Sequence, residues 1–246
     1  MFSTRRSNRH ILTIVAMGTL WGSALSLHPT ISKAQASPIF ATQATSANRE
    51  YQGDILTTIQ TLNDFWGRVF AAEFHLQYTP VRGLKAYSPD AGVEGIPCGG
   101  ERASAMNAFY CRENDLIQWD EALLVTFYEK VGDFAAVFAI AHEWGHAMQA
   151  RLGLLNGRSA SIQIELQADC FAGAWARYVE DLGILEKGDI DEAILGLFAV
   201  RDPVGTPWLQ PGAHGTGQQR ILALSHGQEG GVQRCFGDAP RHVSER

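Results

Sequence analysis

Apolar residues recur at helical spacing from Gln52 to about Phe74, where Ile55, Ile59, Leu62, Phe65, Trp66, Val69 and Phe70 fall on one side. Thr79-Pro80 ends that pattern, and Val81 to Tyr87 suits a strand. Residues 88–106 are rich in Pro, Gly and small polar types and read as a loop. Two short apolar runs, Ala108–Cys111 and Leu116–Trp119, surround Glu113-Asn114-Asp115 and predict a hairpin. Asp120 is placed to cap a helix running to Lys130. The stretch from Asp133 to about Leu152 predicts a further helix, apolar over its first half and therefore buried, with Gly153 ending it. A polar turn at 156–159 leads to a helix from about Ser161 to Leu182, stopped by Gly183. A third helix is expected near Asp189 and a fourth over Gln218 to Ser225. The pattern is that of an α+β domain, mostly helical, with a small sheet preceding the helix at 133–152.

The N-terminal residues do not fit that domain. Arg5, Arg6 and Arg9 precede an apolar stretch from Ile11 to Leu27, broken by His28 and Pro29 and followed by Ala34-Gln35-Ala36. A basic start, an apolar middle and a small-x-small site together predict a secretory signal peptide over 1–36. The alternative is a membrane anchor at 11–27, for which the stretch is slightly short of the roughly 20 residues a bilayer requires. Residues 37–50 are small and polar and read as a disordered linker, leaving 51–246 as a single domain. Four of the 20 basic residues and none of the 26 acids lie in 1–36, so the mature chain carries 16 basic and 26 acidic residues, a formal charge of −10. That balance argues against nucleic-acid partners and against docking on anionic lipid, and no stable membrane association is expected once the signal is removed. The expected location is periplasmic or extracellular.

The chemistry lies on the buried helix. His142-Glu143-Trp144-Gly145-His146 is an HExxH motif, with two histidines one turn apart on one face, able to reach a single metal ion. Glu143 follows the first ligand and can reach a water on that metal as general base. A dry helix has little reason to hold two histidines and a glutamate without a partner. On the next helix Glu165 and Asp169 are four apart, and Glu165 lies 19 residues after His146, enough to turn and return antiparallel. Glu165 is then a third ligand and Asp169 the carboxylate that orients a ligand histidine. Two histidines and a glutamate with a fourth position for water is the catalytic arrangement of one Zn2+ ion.

The segments HEWGH, ELQADCFAGAWA (165–176), KGDIDEA (187–193) and HGTGQQR (214–220) resemble those of the bacterial neutral zinc metallopeptidases, over roughly Cys98 to Phe236. The E-x-x-A-D element and the later His214-to-Arg220 pattern are also similar to the prenyl-protein-processing metallopeptidases. Both are glutamate-liganded zincins, so the resemblance implies a zincin-like fold and peptidase chemistry without a substrate. Two positions depart from the pattern, the bulky Trp144 and Ala147, where another His is common; neither is an inferred ligand. The resemblance suggests His214 as a second donor to the oxygen on which charge grows, with Arg220 either a further donor or a partner of an acid such as Asp169. Cys98, Cys111, Cys170 and Cys235 allow three pairings in principle. The favoured one is Cys98–Cys111 and Cys170–Cys235, the local and the long closure. A cysteine ligand, as in peptide deformylases, suits a cytosolic chain and not an exported one.

The leading expectation is therefore an exported zinc peptidase whose partner is a peptide or protein. The competing readings are a zinc hydrolase of a non-peptide, cell-wall amide and a zinc-scaffold binding protein without turnover. Glu143 argues against the latter, and strands before the motif helix favour a peptide, which can be aligned on a sheet edge.

Overall fold

The computed structural model describes residues 46–157 and 160–237. The expected signal peptide at 1–36 and most of the expected linker lie outside these residues. The linker ends earlier than its composition suggests, because α1 (Ser46–Glu73) already includes residues 46–50. Tyr51 is buried, and its hydroxyl donates to Glu121 at 2.7 Å. Once that turn is packed, adding preceding turns costs little, because helix propagation is far easier than nucleation.

Three short strands follow. β1 (Gly83–Tyr87) pairs in parallel with β3 (Leu116–Asp120), and β2 (Ala108–Cys111) pairs with β3 antiparallel, giving the order β1-β3-β2. The hairpin is thus an edge and a centre, and β2 is left as an edge strand. Ile117 and Trp119 enter the core, while Gln118 is buried on the other face and closes the 88–106 loop over it. Its amide donates to Ile96 O at 2.9 Å and accepts from Ile96 N at 2.7 Å. Asp120 caps α2 (Glu121–Lys130) as expected, accepting from Ala122 N at 3.0 Å, and its other oxygen holds Met106 N at 2.8 Å. The Cys98–Cys111 disulfide ties the same loop to β2.

The motif helix α3 (Asp133–Arg151) packs against α1, α2, α4 (Ser161–Asp181) and α5 (Asp189–Ala199), and α6 (Gly217–Arg234) packs on α4 and α5. Small residues set how closely they pack. A Cβ on Gly145 would lie 3.0 Å from the backbone of Ala168, so α3 and α4 touch almost backbone to backbone. A Cβ on Gly227 would lie 1.9 Å from Cys170 O, so α6 presses closer still to α4. The Cys170–Cys235 disulfide fastens that pair. This explains why α6 continues to Arg234 and not only to Ser225. Gly227 serves close approach and does not stop the helix; the kink comes later, at Gly231 (φ 65°, ψ −168°).

A set of carboxyls joins α1, α3 and α5. Glu192 accepts from Phe134 N at 3.0 Å and fills the space where a side chain at Gly132 would be, so α5 caps the start of α3. Asp133, Asp189 and Glu192 lie together there, and Asp54 of α1 faces Asp133 and takes a bond from the Tyr128 hydroxyl at 3.2 Å. Burial, with Asp133 beside it, pushes Asp54 from 3.8 up to about 7. A carboxyl held up in this way binds its proton more tightly folded than unfolded. Its contribution is complete below its ordinary value and is lost as pH rises through about 7. In metal-free protein Asp54→Asn should therefore match the parent's melting temperature near pH 4 and exceed it at pH 8. Equal pH slopes in thermal melts of the two proteins would show that Asp54 ionises normally.

Candidate metal centre

The helical geometry of α3 places His142 and His146 one turn apart, with ring centroids 4.7 Å apart and planes nearly perpendicular. The antiparallel return through α4 brings Glu165 between them. Nε2 of His142 lies 3.2 Å from Nε2 of His146, and Oε2 of Glu165 lies 3.1 Å from the first and 3.4 Å from the second. A tetrahedral zinc ion with bonds of about 2.0–2.1 Å sets its ligand atoms roughly 3.3 Å apart. The triangle already has that size.

The tautomers follow from the neighbours. Asp169 Oδ1 lies 2.7 Å from His142 Nδ1, and an ionised carboxylate only accepts, so Nδ1 carries the hydrogen and Nε2 the lone pair. On His146, Nδ1 is 2.8 Å from Gln149 Oε1. Gln149 Nε2 donates to Ile164 O at 2.7 Å, which fixes the amide with its oxygen toward the ring. His146 Nε2 is therefore also an acceptor. Three acceptors face one another in a mostly buried space, an arrangement that demands a cation. The residues fit a zinc ion by size, donor type and charge.

The supports are themselves buried. Arg220 grips Asp169 through two bonds, Nε to Oδ2 and Nη2 to Oδ1, each 2.8 Å, and its remaining nitrogen reaches Val200 O at 3.3 Å. Burial alone would raise Asp169, but Arg220 and His142 outweigh it and hold its carboxyl below the usual range. Burial would likewise lower His142, but the carboxylate of Asp169 outweighs it and holds the imidazole up at about 10, so that without a metal Nε2 carries a proton in the place an ion would take. Glu143 is buried with its Oε2 bonded to Tyr110 N of β2 at 2.9 Å. Burial pushes its carboxyl up, with the two histidines pulling it back.

His214 sits at the start of the turn before α6. Its backbone N–H donates to Asp202 Oδ2 at 2.6 Å, and Gly215 N reaches the same oxygen at 2.7 Å. The half-exposed ring lines one cavity together with His142, Glu143 and Arg220, and burial pushes its pKa down. All residues singled out for chemistry thus converge on one place. Of the two roles considered for Arg220, the structure gives the pairing with Asp169. Two supports, Gln149 and Asp202, belong to no motif in the sequence. Gln149 could have been found as a wholly buried amide one turn beyond His146 on a dry helix. Asp202, in a loop, carries no such signal.

With the geometry in place, comparisons with known proteins agree with it. The family described as "Putative neutral zinc metallopeptidase" matches residues 6–236. "Uncharacterized protein YpfJ" of Escherichia coli K12 is 31% identical over 214 residues, which is 78% of this chain and 72% of that protein. "Uncharacterized protein Rv2575" of Mycobacterium tuberculosis H37Rv is 28% identical over 207 residues, 74% of this chain and 67% of that protein. No solved structure matches the chain.

Loss of a support should loosen the metal without removing a ligand. Gln149→Met, which fills the space but cannot accept from His146, and Asp169→Asn should each weaken zinc binding by about 10- to 100-fold. Competition with a chromophoric chelator measures this; parental affinity in both variants would show that the histidines need no such orientation.

Proposed function

The chain belongs to the neutral zinc metallopeptidase family, and on that basis we propose that it is an exported peptidase using one zinc ion held by His142, His146 and Glu165. The observation that carries this reading is the triangle of three acceptor atoms with a buried carboxylate, Glu143, beside it. Zinc, when bound, would polarise the scissile carbonyl and acidify water.

The chain's own residues supply the rest. Glu143, tethered through one oxygen by Tyr110 N, takes a proton from the attacking water and hands it to the departing amine. A bond forms between the water oxygen and the carbonyl carbon, the carbon–nitrogen bond breaks, and an acid and an amine leave. A carboxyl pushed upward by burial suits both halves of that transfer. His214, its pKa pushed down by burial and its backbone N–H held by Asp202, donates to the carbonyl oxygen as negative charge grows there. Asp169 and Arg220 act through His142 and touch no substrate. The edge strand β2, whose Tyr110 N bonds to Glu143, offers backbone groups to an extended chain and favours a peptide over another amide.

The two disulfides support an oxidising compartment. Among the described residues no helix is long and apolar enough to cross a membrane. Exported protein should begin at Ser37 on N-terminal sequencing; an intact Met1 in a membrane fraction would make residues 11–27 an anchor instead.

Two variants test the chemistry. Glu143→Gln should retain zinc and lose peptide cleavage. His214→Phe should lower kcat by about 10²–10³-fold, with zinc content and melting temperature nearly unchanged. Parental kcat in zinc-loaded His214→Phe would remove that histidine from the mechanism. Unimpaired cleavage by Glu143→Gln would remove the general base.

A further inference from the structure

The disulfide between α4 and α6 stands at the end of a chain of amides that leads to a metal-facing histidine. Gln167 and Cys170 are three residues apart and share one face of α4. The bridge from Cys170 sets the Cα of Cys235 5.5 Å away and so holds the Cys235 backbone over that face. One turn back, Gln167 Nε2 donates to Cys235 O at 3.2 Å. Gln167 Oε1 accepts from Gln149 Nε2 at 3.1 Å, and Gln149 Oε1 accepts from His146 Nδ1 at 2.8 Å.

Each link sets the direction of the next. A backbone carbonyl only accepts, so Cys235 O fixes Gln167 with its nitrogen toward the disulfide and its oxygen toward Gln149. That oxygen, together with Ile164 O at 2.7 Å, fixes Gln149 with its own oxygen toward the ring. A Gln167 amide turned over would set its NH2 against that of Gln149. A turned Gln149 would offer N–H to Nδ1, and the ring hydrogen would then sit on Nε2, the atom that faces the metal position.

The turn that carries Cys235 depends on the covalent link. The helical backbone of α6 breaks at Gly231, so residues 232–235 are not held by the hydrogen-bond ladder of the preceding turns. Their other anchors are side chains. Phe236 packs on Phe74 and Phe171, with ring centroids 5.8 and 5.7 Å away, and Gln233 donates to Glu73. Those contacts keep the turn nearby when the link is open, but they do not fix its carbonyl against Gln167. The disulfide is also within reach of solvent. Cys170 and the half-buried Cys235 line a groove of about 560 Å³ with Trp208, Leu222 and His226, and no residue of that groove lines the cavity beside Glu143.

We propose that the Cys170–Cys235 disulfide is a redox switch on zinc affinity, and that Gln167 is the positioning residue that carries its state to His146. One thiolate of a dithiol reductant attacks the Cys235 sulfur, the sulfur–sulfur bond breaks, and Cys170 leaves as a thiolate that takes up a proton. The second thiolate of the reductant then attacks the first reductant sulfur, closing the reductant's own disulfide and releasing Cys235, which is protonated in turn. Two electrons thus pass from the dithiol to the protein. The Cys235 carbonyl leaves Gln167, and His146 is oriented less firmly. The proposal rests on the zinc site read above and not on peptide cleavage.

Zinc affinity is measured by competition with a chromophoric chelator. Gln167→Met, with the disulfide intact, and the double variant Cys170→Ser/Cys235→Ser should each bind zinc about tenfold more weakly than the parent. That is the lower end of what outer supports contribute, because Ile164 O still holds Gln149. Gln167→Met tests the chain even if the double variant does not fold. Groups that act through one chain are not additive, so adding either change to Gln149→Met should cost nothing further. Cys98→Ser/Cys111→Ser should bind zinc as the parent does. In zinc-free parent that stays folded by circular dichroism, dithiothreitol should expose thiols at Cys170 and Cys235, mapped by alkylation and mass spectrometry. Parental affinity in Gln167→Met, additive losses with Gln149→Met, an equal loss in Cys98→Ser/Cys111→Ser, or thiols that appear only as the fold is lost each overturns the switch and leaves the zinc site standing. Zinc binding that Glu165→Ala leaves unchanged defeats the site and the switch together. A tenfold, non-additive loss in a protein that cuts no peptide keeps the switch and defeats the peptidase reading.

Discussion

Two imidazole nitrogens and a carboxylate oxygen, all acceptors, stand within 3.4 Å of one another on the flank of a helical core. Such a triangle repels itself unless positive charge occupies it, and the protein spends much of its packing on holding it together. Each histidine is locked from behind, His142 by Asp169 and His146 by Gln149, so that neither ring can turn its hydrogen inward. Asp169 is in turn gripped by the buried Arg220. A buried carboxylate without that guanidinium would be costly, and a buried guanidinium without that carboxylate equally so.

Those locks explain why the helices pack as they do. The clasp from His142 through Asp169 to Arg220 joins α3, α4 and α6, and it closes only if the three helices come nearly into backbone contact. Gly145 permits this between α3 and α4, and Gly227 between α4 and α6. The Cys170–Cys235 disulfide starts at the residue beside Asp169 and secures the far end of α6, so the covalent link and the ionic link hold the same two helices. On the opposite side Glu192 caps α3 and fixes α5, whose small residues then form a wall of the cavity next to Glu143. The three-acceptor group, the buried Glu143 and the cavity beside it are thus three consequences of how α3 is surrounded.

Much of this is legible along the chain because it depends on local periodicity. Ligands at i and i+4, and an acid pair at i and i+4 one antiparallel helix later, are spacing rules, and they bring His142, His146, Glu165 and Asp169 together. Helix limits marked by Asp120, Gly153 and Gly183 are read from capping and stop chemistry. The remainder depends on residues that meet only in three dimensions. The parallel pairing of β1 with β3 joins strands separated by the 88–106 loop, and no local signal specifies it. The helix expected over Gln218 to Ser225 runs on past Gly227, whose close approach to the carbonyl of Cys170 appears only once α4 and α6 are docked. Arg220 had two candidate roles, donor to the reacting oxygen or partner of an acid, and only the docking of α6 on α4 brings it to Asp169. The cavity is hardest of all, since much of its wall is small and aliphatic residues of α2, α3 and α5 that in sequence look like ordinary helix packing.

The ligands that zinc takes in the folded protein decide whether His142, His146 and Glu165 form one site. X-ray absorption at the zinc edge of purified, folded protein reads this directly. The account predicts one zinc ion with only nitrogen and oxygen neighbours at about 2.0–2.1 Å and multiple scattering from two imidazoles, altered by Glu165→Ala. A sulfur shell near 2.3 Å, or a spectrum that Glu165→Ala leaves unchanged, would contradict it.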